Sequence, residues 1–345
     1  MTDNMTTPCP DDEKLAAYLD RALPDRELEL VARHLDGCTS CRGLVACLVR
    51  GSGQRSSAPF VLADGREVDR LHPTDVPRGA RIAGRYVTDL LVGIGGMGAV
   101  YRAHDDVSRR TVAVKVVRGG SPVAAGRFAR EVQALSGLNH PGIVRYLDHG
   151  MLGDDCGYLV MEWLEGEDLA ARLKRGCLTW SECRCLVRQL AEALGQAHRR
   201  GLLHRDIKPR NIFLVERRVE SAKLLDFSLA RWSGGGLRVT ATGQVVGTVG
   251  YMAPEQLLGD PLDARTDVFG LGCVLYACLC GRSPFDGPGP APQAALLRHE
   301  VPPVSGSCSD LPAAVDRLVA KMLAWDPAQR HLDAAAVLEE LEGIA

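Results

Sequence analysis

Runs rich in apolar and β-branched residues over 86–92 and 99–103, separated by glycines, predict two strands joined by a tight glycine turn. The run Val112-Ala113-Val114-Lys115 predicts a third strand, and 158–161 a fourth. Between them, residues 123–138 carry a helical period. Long helical patterns take over near Ser181, and the apolar run 268–280 predicts a buried core helix. Strands first and helices later define an α+β chain of two lobes, a β-rich N-lobe and a helical C-lobe. No repeat of 20–50 residues is present.

Three regions separate along the chain. Residues 1–50 hold a short amphipathic pattern with a Cys/His cluster and are expected to form a small α-helical module. Residues 51–85 are rich in Gly, Ser, Pro and Arg and read as a linker, with local packing at 60–62. Residues 86–345 form the large domain, its N-lobe over 86–161 and its C-lobe over 164–345.

Composition narrows the function classes. Hydrophobic residues at 46% and charged residues at 24% suit a soluble globular chain. A formal net charge of −2 gives no electrostatic case for nucleic acid or an anionic membrane. The polar, acidic start lacks the apolar core of a signal peptide, and the 268–280 run falls short of a membrane span. A cytoplasmic location is therefore expected, with the 12 cysteines mostly reduced.

Gly93, Ile94, Gly95, Gly96, Met97 and Gly98 form G-x-G-x-x-G, followed by Val100. Without side chains, backbone N–H groups can approach phosphate oxygens closely. A dinucleotide fingerprint needs a helix to open at the glycines, whereas here a second strand follows. Lys115 stands inside a hydrophobic strand, where a charge is costly unless paired. Glu131, sixteen positions on, is the expected partner, leaving the ammonium aimed at phosphates.

His204-Arg205-Asp206-Ile207-Lys208-Pro209-Arg210-Asn211 is the most specific segment. With the glycine loop and Lys115, it makes the chain resemble the eukaryotic-like serine/threonine protein kinases of bacteria, from Tyr86 onward. The resemblance implies transfer of the γ-phosphoryl group of ATP to Ser or Thr hydroxyls of protein substrates, in bacterial signal transduction. It implies that Asp206 accepts the hydroxyl proton, that Lys208 contacts the γ-phosphate, and that Asn211 and Asp226 hold Mg²⁺, for which Mn²⁺ can substitute. Glu162, Trp163 and Leu164 resemble the adenine hinge, after Met161 at its gate, with Val100, Ala113 and Phe213 around the ring.

Phe227 is expected to pack with Leu135, Tyr146 and His204. Ser228 stands where the family carries glycine, which motivates a rival reading, a nucleotide-binding scaffold without catalysis. Lys115, Asp206, Asn211 and Asp226 argue for activity. The resemblance also pairs Glu255 with Arg330, makes Asp267 the anchor of the catalytic loop, and puts Thr248 beside Asp206. Arg205 suggests a switch by autophosphorylation at Thr240 or Thr242, which a transient homodimer would serve in trans. Arg210 stands where basic-directed kinases tend to carry glutamate, so no strong preference for basic substrates is expected.

Cys9, His34, Cys38 and Cys41 give C-x24-H-x3-C-x2-C, a donor set suited to tetrahedral zinc. Residues 27–35 read as a helix, which sets His34 near its end and Cys38 one turn later; Cys47 reads as core. The segment resembles the zinc-binding anti-sigma-factor domain, which implies a sigma-factor-like or other protein partner. A small helical hairpin with buried thiols is the alternative reading.

Overall fold

The structure is a computed structural model that describes residues 10, 18, 23–38, 60–61, 67–68, 72–95, 98–118, 132, 135, 137–152, 156–227, 249–285, 301–308 and 311–344. Glu131, Ser228, Thr240, Thr242, Thr248, Gly96, Met97, Cys9, Cys41 and Cys47 lie outside the described residues.

The N-lobe is built on an antiparallel sheet of eight strands among the described residues. In chain order these are β1 (Phe60–Val61), β2 (Glu67–Val68), β3 (Arg81–Ile82), β4 (Tyr86–Gly95), β5 (Gly98–Asp105), β6 (Thr111–Arg118), β7 (Tyr146–Leu152) and β8 (Cys156–Glu162). They lie in the order β2-β1-β3-β4-β5-β6-β8-β7. Alternation along β5 and β6 sends Ala99, Tyr101, Ala103, Val112, Val114 and Val116 into one apolar core.

The sheet departs from the sequence reading at its start. Residues 51–85 were expected to be a linker, yet β1, β2 and β3 extend the sheet. Val76, Ala80 and Ile82 are buried in the N-lobe core, and the Tyr101 hydroxyl donates to the Pro73 carbonyl at 2.7 Å. Two-residue strands are too short to show a period. Their cue is instead the turn that joins β3 to β4, where Ala83 and Gly84 take positive φ of 52° and 65°.

The C-lobe contains a three-stranded antiparallel sheet of β9 (Gly166–Asp168), β10 (Ile212–Val215) and β11 (Ala222–Leu224), ordered β11-β10-β9. Helix Trp180–His198 opens on a reciprocal cap between Thr179 and Glu182. Helix Ala264–Cys280 opens on Asp263 and closes on Gly281 in the left-handed region, φ 73°. Its residues from Thr266 to Leu279 are all buried, and from Val268 onward its sequence is apolar on every face. Helices Ala313–Met322 and Ala334–Glu342 complete the lobe around it. Among the described residues no helix is long and apolar enough to cross a membrane.

Near the N-terminus, helix Asp25–Gly37 carries Val31 and Leu35 on one face, packed with Tyr18, Leu23 and Cys38.

Candidate active site

The glycine hairpin is set by register. Gly93 pairs with Val100, Ile94 with Ala99 and Gly95 with Gly98. Gly98 has φ 155°, and a Cβ there would fall 1.9 Å from the Val116 carbonyl oxygen, so only glycine lets β5 lie this close to β6. A Cβ on Gly93 would meet nothing, so the space over this strand is open to a ligand.

On β6, Lys115 is opposite Val100 on one side and Leu159 on the other. Its Nζ lies 2.8 Å from Asp226 Oδ1. Burial pushes the Asp226 carboxyl up, but the Lys115 ammonium outweighs it and holds the group below its ordinary value. Asp226 is thus an anion at neutral pH, in a left-handed conformation at φ 49°.

The catalytic-loop segment hangs from one buried carboxylate. Asp267, in the first turn of helix Ala264–Cys280, accepts the His204 N–H at 2.8 Å and the Arg205 N–H at 2.7 Å. His198 Nε2 is 2.9 Å from the same side chain. These bonds hold Arg205 at φ 64°. His204 is fully buried; its Nε2 donates to the Leu225 carbonyl at 2.8 Å, and its Nδ1 accepts the Asp206 N–H at 3.3 Å. A carbonyl only accepts and an N–H only donates, so the ring is the Nε2–H tautomer. The Phe227 ring packs on it at 4.7 Å between centroids, in the same core as Leu135 and Tyr146.

Asp206 is partly exposed. Lys208 Nζ donates to its Oδ2 at 2.8 Å. Asn211 Nδ2 donates to the same oxygen at 2.9 Å and to the Asp206 carbonyl at 2.7 Å. Asn211 thereby spends its N–H₂ on orienting Asp206, which leaves its amide oxygen to a cation. The Asp226 carboxylate and the Asn211 amide oxygen are hard donors that fit Mg²⁺. Beside them stand two ammonium groups, Lys115 and Lys208, which suit phosphate oxygens.

At the expected hinge, Met161 is buried and Ala113 pairs with it across β6 and β8. The Glu162 side chain accepts from Lys223 Nζ at 2.5 Å and from the Arg145 N–H at 2.9 Å. Its side chain is therefore committed to β11 and the approach to β7. Phe213 stands on β10, half-buried, two residues beyond Asn211.

The segment after the cleft is locked at its far end. Arg330 donates to Glu255 through two bonds, 2.7 and 2.9 Å. It also donates to the carbonyls of Ala324 and Trp325 and lies over the Phe269 ring at 4.8 Å. Sequence reasoning missed Gln256, whose Nε2 donates to the Arg205 carbonyl at 2.8 Å while its Oε1 accepts the Ala253 N–H at 3.0 Å. It also missed His198. The cue for Gln256 was its place three residues after Ala253, where a side chain reaches back to cap a helix start.

At the end of the N-terminal helix, the Cys38 N–H bonds the His34 carbonyl at 2.9 Å, one turn apart. His34 Nε2 is buried with no hydrogen-bond partner. An imidazole nitrogen left in that condition fits a metal ligand.

Comparison with known proteins agrees with this geometry. Residues 86–340 match the model of the protein kinase domain, and residues 12–42 match that of a putative zinc-finger. The chain belongs to the protein kinase family. It is 38% identical over 271 residues to serine/threonine-protein kinase PknB of Mycobacterium tuberculosis, covering 76% of this chain and 43% of that protein. It is 36% identical over 287 residues to serine/threonine-protein kinase pkn3 of Myxococcus xanthus, covering 80% and 52%. The chain thus matches about half or less of the length of these relatives. Among solved structures, the crystal structure of Rad53 1-466 in complex with AMP-PNP is similar, with TM-score 0.62 and 27% identity over 74% of this chain and 64% of that one. The zinc-finger match begins at residue 12, so Cys9 lies outside it.

Proposed function

We propose that the chain is an active serine/threonine protein kinase that transfers the γ-phosphoryl group of ATP to protein hydroxyls with Mg²⁺. The observation that carries this reading is the arrangement of Asp206. Its carboxylate is held by Lys208 and Asn211 beside the Lys115–Asp226 pair. Asp206 orients the acceptor hydroxyl and takes its proton. Asn211 and Asp226 hold the cation, which neutralises phosphate charge when bound. Lys115 and Lys208 bind phosphate oxygens, and the glycine hairpin covers them. Labelled-phosphate transfer by the purified chain should fall about 10²–10⁴-fold in Asp206→Ala. Equal transfer by both would remove the enzyme reading.

Autophosphorylation at Thr242 or Thr240 extends the proposal. Arg205 supports it, because its Nε is buried without a hydrogen-bond partner, and a phosphate would supply one. The double alanine variant should lose the rise in activity that follows preincubation with ATP. Undiminished activation would reject the switch.

The N-terminal module is proposed to bind zinc through His34, Cys38 and Cys41, with Cys9 as the fourth ligand, and to dock a protein partner. The orphaned His34 nitrogen supports it. Cys38→Ser should lower the zinc content of the purified chain, and an unchanged content would count against the site.

A further inference from the structure

Five of the twelve cysteines gather at one corner of the C-lobe, around the C-terminal end of helix Ala264–Cys280. The Leu178 N–H bonds the Cys278 carbonyl at 2.9 Å, which brings the 177–183 segment to the helix end. Cys308 Sγ donates to the Leu279 carbonyl at 3.1 Å. Cys177 Sγ abuts Gly281, where an added Cβ would lie 3.2 Å from the sulfur. Thus Cys177 and Cys308 flank the same turn of backbone. The corner is some thirteen residues along the helix from Asp267, about 20 Å from the end that anchors the catalytic loop.

The five thiols differ in access. Cys183 and Cys278 are buried against each other. Cys177 is exposed, and Cys308 and Cys280 are partly so. Among the described residues no group of three His, Cys, Asp or Glu side chains is arranged to hold a metal ion, so a cation does not account for the cluster. The Cys308 thiol is pushed up by burial and then by the neighbouring sulfurs of Cys177 and Cys183. A thiol of that kind is a poor first nucleophile, whereas the exposed Cys177 meets reagents from solvent.

We infer that Cys177 and Cys308 form a reversible intramolecular disulfide by exchange with a small-molecule disulfide of the glutathione type. The Cys177 thiolate attacks one sulfur of the reagent, breaks its S–S bond and releases one small thiol. The mixed disulfide is then attacked by Cys308 Sγ as its thiolate. The Cys177–Cys308 bond forms and the second small thiol leaves. Two protein thiols are oxidised and one small disulfide is reduced to two thiols, whose protons are those the two cysteines lost. The bond ties the start of helix Trp180–His198 to the 301–308 segment across the end of the core helix. It closes a chain loop long enough to restrict the unfolded state strongly.

The test uses the full chain with millimolar oxidised glutathione, alkylation of residual thiols and peptide mapping by mass spectrometry. The expected product is a Cys177–Cys308 linked peptide that dithiothreitol removes. It should be absent from Cys177→Ser and Cys308→Ser and retained in Cys185→Ser. Serine keeps a donor for the Leu279 carbonyl, so the variants should fold, as reduced melting curves will establish. The oxidised wild type should melt roughly 5–10 °C higher than the reduced one. Glutathione that stays on Cys177, a link from Cys177 to any other cysteine, a link between two chains, or an unshifted melting curve would overturn the inference.

Discussion

Arg330 grips Glu255 with two parallel hydrogen bonds of 2.7 and 2.9 Å, and neither side chain is more than 6% exposed. Thr266 Oγ1 adds a third bond to Glu255, at 2.9 Å. Removing one partner of a buried pair strands the other charge, a cost of about 3–5 kcal/mol. Arg330→Ala should therefore lower unfolding stability by that order, read by denaturant titration. Burial raises the Glu255 carboxyl, but the Arg330 bonds prevail and hold it below its ordinary 4.5. A carboxylate held low contributes stability that is full above the unfolded value and fades as pH falls through the folded one. Wild type should thus lose this contribution below about pH 4.5, and Glu255→Gln should show a flatter acid limb. An identical limb in both would refute the assignment.

Asp267 is the second point of weakness. Its carboxylate is the acceptor for the N–H groups of His204 and Arg205, and both oxygens are used. Asp267→Ala leaves two donors unpaired in a buried site, at about 1–3 kcal/mol each. Arg205 would then lose the bond that offsets its left-handed backbone. The variant should melt lower and lose most phosphoryl transfer, while Asp267→Asn, which keeps one acceptor oxygen, should fall between. A variant with wild-type melting and full transfer would show that the loop is held by something else.

These two anchors show what the chain reveals before it folds. The apolar, β-branched runs around Gly93 and Lys115 and the apolar run 268–280 were legible from pattern. The pairing of Glu255 with Arg330, seventy-five positions apart, has no local signature and came from resemblance alone. The linker reading failed because β1, β2 and β3 are two residues each, too short for periodicity, and their stability comes from pairing with the sheet edge. Gln256 and His198 escaped notice because each serves another residue's backbone or carboxylate, a role fixed only by tertiary placement.

Lys115 sits 2.8 Å from Asp226, which makes it both a phosphate ligand in prospect and the guard of Asp226's ionisation. Burial alone would raise that carboxyl, and the ammonium reverses the sign. In Lys115→Met the burial effect is unopposed, apart from the weaker influence of His204 and Lys208. Asp226 should then take up a proton at higher pH. Mg²⁺·nucleotide binding by the variant should weaken as pH falls through the upper carboxylate range, where wild type holds constant. Isothermal titration across that range decides it, and parallel pH profiles would rule the coupling out.

Arg210 bears on the choice of target. It is exposed on the Pro209–Asn211 turn, on the same loop as Asp206, and forms no ion pair among the described residues. A positive group beside the acceptor site repels a basic residue of the peptide and attracts an acidic one. At a separation of about 7 Å in water-like dielectric the interaction is roughly 0.6 kcal/mol, a factor of about 3 per charge. The two signs together give a discrimination of order tenfold at low salt. It should shrink as ionic strength rises and the screening length shortens. A peptide array should therefore favour acidic over basic residues near the acceptor Ser or Thr by several-fold. Arg210→Glu should reverse that order without lowering transfer to an uncharged peptide. Enrichment of arginine upstream of the acceptor by the wild-type chain would contradict the prediction directly, because the Arg210 charge repels a like one.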